Sequence, residues 1–483
     1  MQYVFGPFAP DAEANTVGVC TQAEGVLPTP DGYGPAPSLV KPGTDALPGA
    51  PRGGITCIKR DGTAQVFFFT SDAFYRVDAS YAYSLVDNGY SCTPGDDWSA
   101  EQFGDLLLYT NTTDGLWSYN IELNTPPTYI ADAGDPREIF INANMVFGLD
   151  AKDGAGNRNN RLIRNSDFNQ QNDWKDGAAT KQPVETGGEL IGGVTLKSGA
   201  AVIFQRNAMR LIQFGNAGGG ALWSLQEIAD GRGSVGKRSI IGFDGVVYFL
   251  STNGFWRFSQ AGLEAIGDGF VDKWFLRMVP TTQLKDVQAA IDPARKIVLW
   301  LVPSTGMVLG YSWGPNITRR WFTWDTDITF LSRLATSGYT WDAAGAIWPT
   351  WDSMPAIPFN DRFWQGGEQF LAALGSDGIF AIFSGDAMAA TITGTAQNSP
   401  TTAMINWATP IDDAPNSTLR IGVTDSLSAP ITWKGAVAKQ YSGRTPQRGR
   451  GKNIAFEWEV PANDAWTYVK GVDGITASSG GPR

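Results

Sequence analysis

Val246-Val-Tyr-Phe-Leu-Ser-Thr-Asn-Gly-Phe-Trp-Arg-Phe258 sets two apolar, aromatic-rich runs on either side of the turn Ser251-Thr252-Asn253-Gly254. β-Branched and aromatic side chains suit a pleated strand, and a polar turn ending in glycine reverses the chain, so this stretch predicts a β-hairpin. The same unit recurs in both directions from it. Residues 65–70 lead through Ser71-Asp72 into Phe74-Tyr75-Arg76-Val77, and residues 105–109 lead through residues 111–115 into Leu116-Trp117-Ser118-Tyr119. Residues 138–141 turn at Asn142-Ala143-Asn144 into Met145-Val146-Phe147, and residues 200–204 turn at Gln205-Arg206-Asn207 into residues 209–214. Two later copies are residues 297–302 with Pro303-Ser304-Thr305-Gly306, and residues 370–374 with Gly375-Ser376-Asp377-Gly378.

Apart from one closer pair, the turns lie roughly 40 to 70 residues apart, the range of one four-stranded blade per repeat. The expected fold is all-β: a β-propeller of four-stranded blades, in which radial repetition buries each blade face against its neighbours and closure protects the edges. Period-two patterning alone also admits a β-sandwich or stacked β-modules. The composition agrees with many short strands and tight turns: 57 Gly and 28 Pro accompany 18 Trp, 26 Phe and 14 Tyr in 483 residues.

Three regions are expected. Residues 1–55 carry Pro28, Pro30, Pro35, Pro37, Pro42, Pro48 and Pro51 and read as an extended Pro/Gly-rich arm without a core of its own. Residues 56–385 form the propeller body, with an irregular Trp-rich insertion at about 312–364 that holds Trp313, Trp321, Trp324, Trp341, Trp348, Trp351 and Trp364. Residues 386–483, where the aromatic hairpin rhythm stops, form a small C-terminal β-module.

The formal charge of -11 argues against a broad nucleic-acid grip, which needs Lys and Arg to displace counterions, and suits a surface along which DNA slides. Cys20, Cys57 and Cys92 lie in no Cys-x-x-Cys pair and read as reduced thiols in a cytoplasm. Neither a secretory leader nor a run of about 20 apolar residues is present, so the chain is expected to be soluble.

Histidine is absent, which excludes Ser-His-Asp and Cys-His catalysis and His-ligated metal within this chain. Gly231-Arg-Gly-Ser-Val-Gly-Lys-Arg238 matches the first seven positions of a phosphate-binding loop, but Arg238 stands where Ser or Thr would hold magnesium, and the following residues 239–250 read as β-structure. A tight turn between strands is expected there. The loop Asp150-Ala-Lys-Asp-Gly-Ala-Gly-Asn157 lacks calcium-loop spacing. The cations Lys434, Lys439, Arg444, Arg448, Arg450 and Lys452 lack interleaved aromatics and read as a charged face or a seat for an acidic partner. No catalytic, cofactor-binding or metal residue is assigned, and no enzyme is expected.

Several strings, taken in order, resemble the tail hub, or nozzle, proteins of short-tailed bacteriophages. They are Phe5-Gly-Pro-Phe-Ala-Pro-Asp11, Val26-Leu-Pro-Thr-Pro-Asp-Gly-Tyr-Gly-Pro-Ala-Pro-Ser38, Arg161-Leu-Ile-Arg-Asn-Ser-Asp-Phe168 with Asn172-Asp-Trp174, and Gly187-Gly-Glu-Leu-Ile-Gly-Gly193. Tyr248-Phe-Leu-Ser251, Gly254-Phe-Trp256, Ala289-Ala-Ile-Asp-Pro293 and Arg320-Trp-Phe-Thr-Trp324 extend the series. Asn165 departs from it, standing where the family usually carries Trp. The resemblance implies a virion tail protein assembled in the bacterial host cytoplasm. It would be a subunit of a homohexameric ring below the portal and adaptor, whose central hole conducts the double-stranded genome at ejection without binding it. The implied partners are other copies of the chain, the adaptor or head-tail connector, a tail needle or plug, a tail fibre or spike, and the host surface. The alternatives are a carbohydrate-binding or glycan-cleaving propeller, and a head-completion or receptor-binding phage protein.

Overall fold

The computed structural model describes all residues except 1, 14–15, 94, 216–221, 336–337, 366–368, 427–428, 474–476 and 480–483. Among the described residues, seven four-stranded antiparallel units follow one another along the chain, with inner strands at Gly53–Ile58, Ser99–Phe103, Glu138–Asn142, Leu190–Thr195, Ile241–Phe243, Gln288–Asp292 and Ile328–Ala335. Neighbouring inner strands touch all the way round, and that of the seventh unit lies against those of the sixth and the first. The sheets are therefore blades of a closed β-propeller with seven members.

The core is divided as radial packing requires. Phe67, Phe69 and Phe74 of blade one meet Leu107, Tyr109 and Tyr119 of blade two, whereas the alternate residues Leu108 and Leu116 of blade two meet Ile139 and Val146 of blade three. Successive side chains point to opposite sheet faces, so a strand buried on both faces reads as an unbroken apolar run. Buried indoles tie the connections down by donating to backbone carbonyls: Trp98 Nε1 to Thr70 O at 2.8 Å, Trp300 to Ser239 O at 3.2 Å and Trp321 to Ile266 O at 3.1 Å.

Each hairpin expected from the sequence lies within one blade. In six of them it is the pair of second and third strands, such as Val246–Ser251 with Gly254–Ser259. In blade three it is the first and second, Glu138–Asn142 with Met145–Lys152, which accounts for the one short spacing.

The terminal regions differ from the sequence expectation. Residues 1–55 are not an arm without a core. Tyr3, Phe5, Phe8, Cys20, Val26 and Tyr33 are buried in the largest apolar cluster, Pro28, Pro35 and Pro37 lie in short strands, and Pro42, Pro48 and Pro51 lie in the irregular link to blade one. Pro37–Val40 forms the outer strand of blade seven, pairing antiparallel with Phe380–Ala387 through Val40 to Ile382 and Leu39 to Phe383. Cys20–Glu24 pairs in parallel with blade six's outer strand Trp321–Asp325 and antiparallel with Ala390–Gly394. Through it the sheet of blade six runs on into the strands beyond residue 386, giving one 12-stranded sheet. The C-terminal β-module is thus completed by N-terminal strands and welded to the propeller.

The irregular insertion is also shorter than 312–364. Trp321–Asp325 and Ile328–Ala335 are regular blade strands, and the departure from β-structure falls between Ile328–Ala335 and Gln369–Gly375, where the short helices Trp341–Ile347 and Arg362–Gln365 lie. No helix among the described residues is long and apolar enough to cross a membrane.

Candidate functional site: the propeller axis and two surface patches

The inner strands surround an axial channel that includes a cavity of about 400 Å³ bordered by blades one, two, three, five, six and seven. A second cavity of about 360 Å³ continues it past blades two to five, sharing Glu101, Glu138 and Lys237 with the first. Small residues keep the strands close. A side chain on Gly193 would lie 2.3 Å from the Phe140 ring, and one on Gly54 would lie 3.0 Å from the Phe68 ring.

Two ion pairs stand at the channel wall, where Glu138, Lys237 and Arg238 line the first cavity. Lys237 Nζ lies 3.1 Å from Glu138 Oε2, and Ser99 Oγ donates to Glu138 Oε1 at 2.7 Å. Arg238 Nε lies 3.3 Å from Asp97 Oδ2, stacks over the Phe330 ring at 5.3 Å and donates to the carbonyl of Arg52. These groups join the connections of blades one, two, three and five at the axis, so the network holds the ring in register. Two other charges there are less well matched. The carboxyl of Glu101 is pushed up to about 7, first by burial in the channel wall and then by the neighbouring Glu138 carboxylate. Burial pulls the pKa of Arg333 down, and it has no ion-pair partner among the described residues.

The motif residues singled out in the sequence fall into structural places. Gly231–Arg238 connects the outer strand of blade four, Trp223–Asp230, to blade five, and residues Lys237–Ser239 form a single 3-10 turn instead of the helix a phosphate loop needs. A side chain on Gly233 would lie 1.9 Å from the carbonyl oxygen of Gln205, so this glycine serves a close backbone crossing. Asp150–Asn157 belongs to the hairpin between the second and third strands of blade three. There Asp153 Oδ1 accepts the N–H groups of Ala155 and Asn157, and Asp150 pairs with Arg158 at 3.3 Å. Cys20, Cys57 and Cys92 are buried and free, and burial pushes each thiol up to about 12. Among the described residues no group of three or more Cys, Asp or Glu could hold a metal ion. The axial charges Arg52, Asp97, Glu101, Glu138 and Arg333 were not foreseen; their positions carry no local motif.

Two surface patches stand out. The Trp-rich region divides: Trp321, Trp324 and Trp348 are buried, whereas Trp341 and Trp351 are 66% and 71% exposed beside Phe359 at 53%. Their rings form one cluster, with centroids of Trp341 and Phe359 5.5 Å apart and of Trp341 and Trp351 6.4 Å apart. The second patch lies on the module. Along and just before the strand Gly449–Val460, Gln447, Gly449, Gly451 and Asn453 are buried while Arg448, Arg450 and Lys452 are exposed, a stripe of three cations set by the two-residue period.

No family model matches the chain, and no curated protein matches it. Solved structures with some similarity are propeller proteins of low identity. Virginiamycin B lyase from Staphylococcus aureus is 10% identical, with a TM-score of 0.40 over 60% of this chain and 89% of the lyase. The β-propeller domain of Cps50 (Swd1) from Myceliophteria thermophila is 10% identical, with a TM-score of 0.39 over 71% of this chain and 99% of that domain.

Proposed function

We propose that the chain is a structural, non-enzymatic subunit of the tail nozzle of a short-tailed bacteriophage, one of a ring of copies whose common centre conducts the genome. The observation that carries this reading is mechanical continuity. The N-terminal segment supplies the last strand of blade seven, and it also bridges blade six to the C-terminal module, so propeller and module share one hydrogen-bonded sheet. A wall that must resist a packed genome needs such a block, and the sheet shared between blade six and the module supplies it.

The axial channel of the subunit is not the DNA path in this reading. Its cavity of about 400 Å³ is too small for a duplex and carries ion-paired residues in its wall. The passage is the hole between copies, where a net charge of -11 per chain repels phosphates and lets a duplex slide. Cryo-electron microscopy of phage particles carrying this chain tests the reading: density for a ring of these propellers around the tail axis is the expected result. Finding the chain absent from particles, or radiating from the tail as a fibre, would sink it.

A further inference from the structure

We propose that the exposed aromatic patch of the blade-seven insertion docks onto the basic stripe of the C-terminal module of a second copy of this chain. The inference rests on the ring reading above and identifies the contact that would build the ring.

Among the described residues neither surface is covered, and the two differ in a complementary way. On the insertion, each exposed indole is followed directly by an exposed carboxylate, Trp341 by Asp342 and Trp351 by Asp352. No ion pair joins either carboxylate to a cation among the described residues, and none joins Arg448, Arg450 or Lys452 to an acid. Three cations in a row, and two carboxylates among exposed rings, without ion-pair partners among the described residues leave opposite charges available for contact between copies.

Spacing and chemistry agree as well. Alternate residues on a strand lie about 6.6 to 6.8 Å apart, and the centroids of Trp341 and Trp351 lie 6.4 Å apart. A guanidinium stacks on an indole face while its N–H groups reach a carboxylate beside that face. The module already uses this mode internally: Arg444 lies over the Trp407 ring at 4.3 Å and Arg420 over the Trp433 ring at 5.7 Å. Beside the stripe a shallow concavity of about 500 Å³, lined by Lys434, Pro446 and Arg448, offers a seat for a projecting ring. Aromatic and Arg anchors in contact are what interface hot spots are made of.

The two patches are different surfaces, one on blade seven and one on the module, so the contact is head-to-tail. Repeated contacts of that kind close into a ring when the rotation between copies divides the circle, which is the assembly the proposed function needs. A self-matching patch would stop at a dimer.

The test uses the full chain and reads mass by sedimentation velocity over a range of protein and salt concentrations. The wild-type chain is expected to associate, and rising salt to weaken it as exposed charges are screened. Asp342→Lys with Asp352→Lys, and separately Arg448→Glu with Arg450→Glu and Lys452→Glu, are expected to weaken association about a hundredfold or more. A chain carrying all five substitutions is expected to regain part of it, because the charges are exchanged on both faces while the guanidinium–indole stacking is lost. Asp342 lies in the first turn of the helix Trp341–Ile347, so Trp351→Ser serves as a second variant, and circular dichroism checks that each variant is folded.

If the wild type associates and neither charge set changes its mass, the ring reading stands and this contact is wrong. The same holds if the five-substitution chain is folded but associates no better than either charge set alone. If the wild type stays monomeric at every concentration, both fail. Duplex DNA bound by the stripe, or a polysaccharide quenching Trp351, with no change in mass, would replace a second copy with another occupant and overturn the proposal.

Discussion

Gly254 ends the turn of blade five with φ of +129°, and a Cβ there would lie 2.1 Å from Asp272 Oδ2. The close approach has a purpose: Asp272 Oδ1 accepts the N–H of Phe255 at 3.0 Å and so ties the hairpin to the segment leading out of the blade. Alanine at this position would pay for both the backbone region and the collision, and Gly254→Ala is expected to destabilise the fold by about 3 kcal/mol or more in urea unfolding. Glu101 makes a prediction of different sign. Its carboxyl titrates near 7 in the folded protein and near the ordinary carboxylate value when unfolded. The folded state therefore holds the proton more tightly, and stability falls as pH rises from about 4.5 to 7, staying low above that. Glu101→Gln is expected to raise stability by roughly 1 to 2 kcal/mol at pH 8 and to change nothing at pH 4, read as thermal midpoints at the two pH values. Asn165 shows a residue whose role the sequence hides. It is a buried hub, donating to Ala178 O at 2.8 Å and accepting from Trp223 Nε1 of blade four at 3.1 Å.

The most consequential element is the N-terminal strand Cys20–Glu24 with the turn after it. Trp324 of blade six anchors it, its indole N–H donating to Val26 O at 3.1 Å while the N–H of Gly25 donates to Thr323 O at 2.9 Å. Trp324 is fully buried and packs on Phe383 of blade seven. Trp324→Ala is expected to cost about 3 to 5 kcal/mol. It should also expose residues 2–36 to protease before any blade is cut, which timed proteolysis with mass spectrometry would read. Equal cutting rates throughout would show that the segment is not held by this blade. The hairpins of the blades were legible because strand preference and turn chemistry are local properties of a dozen residues. The outer strands were not: Thr128–Tyr129 has two exposed residues, and Pro37–Val40 reads as part of a proline-rich tract. An edge strand of that kind forms because a neighbouring strand offers it hydrogen bonds, and nothing within the strand itself announces the pairing.

At the scale of the molecule, propeller and module should unfold together. The 12-stranded sheet crosses from blade six into the module, and one apolar cluster joins Trp300 and Leu371 to Tyr3, Phe456 and Trp458. Calorimetry is expected to show a single transition; two separated transitions would mean that the module folds by itself and that the shared sheet is not cooperative. The axial charge network belongs to this scale too. Arg52, Asp97 and Arg238 come from connections and Glu138 from an inner strand, all far apart in the chain, and they meet only because the ring closes.

What the order of residues determined alone is the kind of unit from which the molecule is built: paired strands with aromatic faces, repeated often enough to form blades, and a chain without histidine that rules out whole classes of catalysis. Tertiary structure alone decided that the blades number seven, that the proline-rich start completes the last of them and the module, and which tryptophans are left bare. The physical reason is range. Turn and strand preferences act over neighbouring residues, whereas ring closure, strand exchange between distant segments and the burial of a given indole depend on contacts between residues hundreds of positions apart.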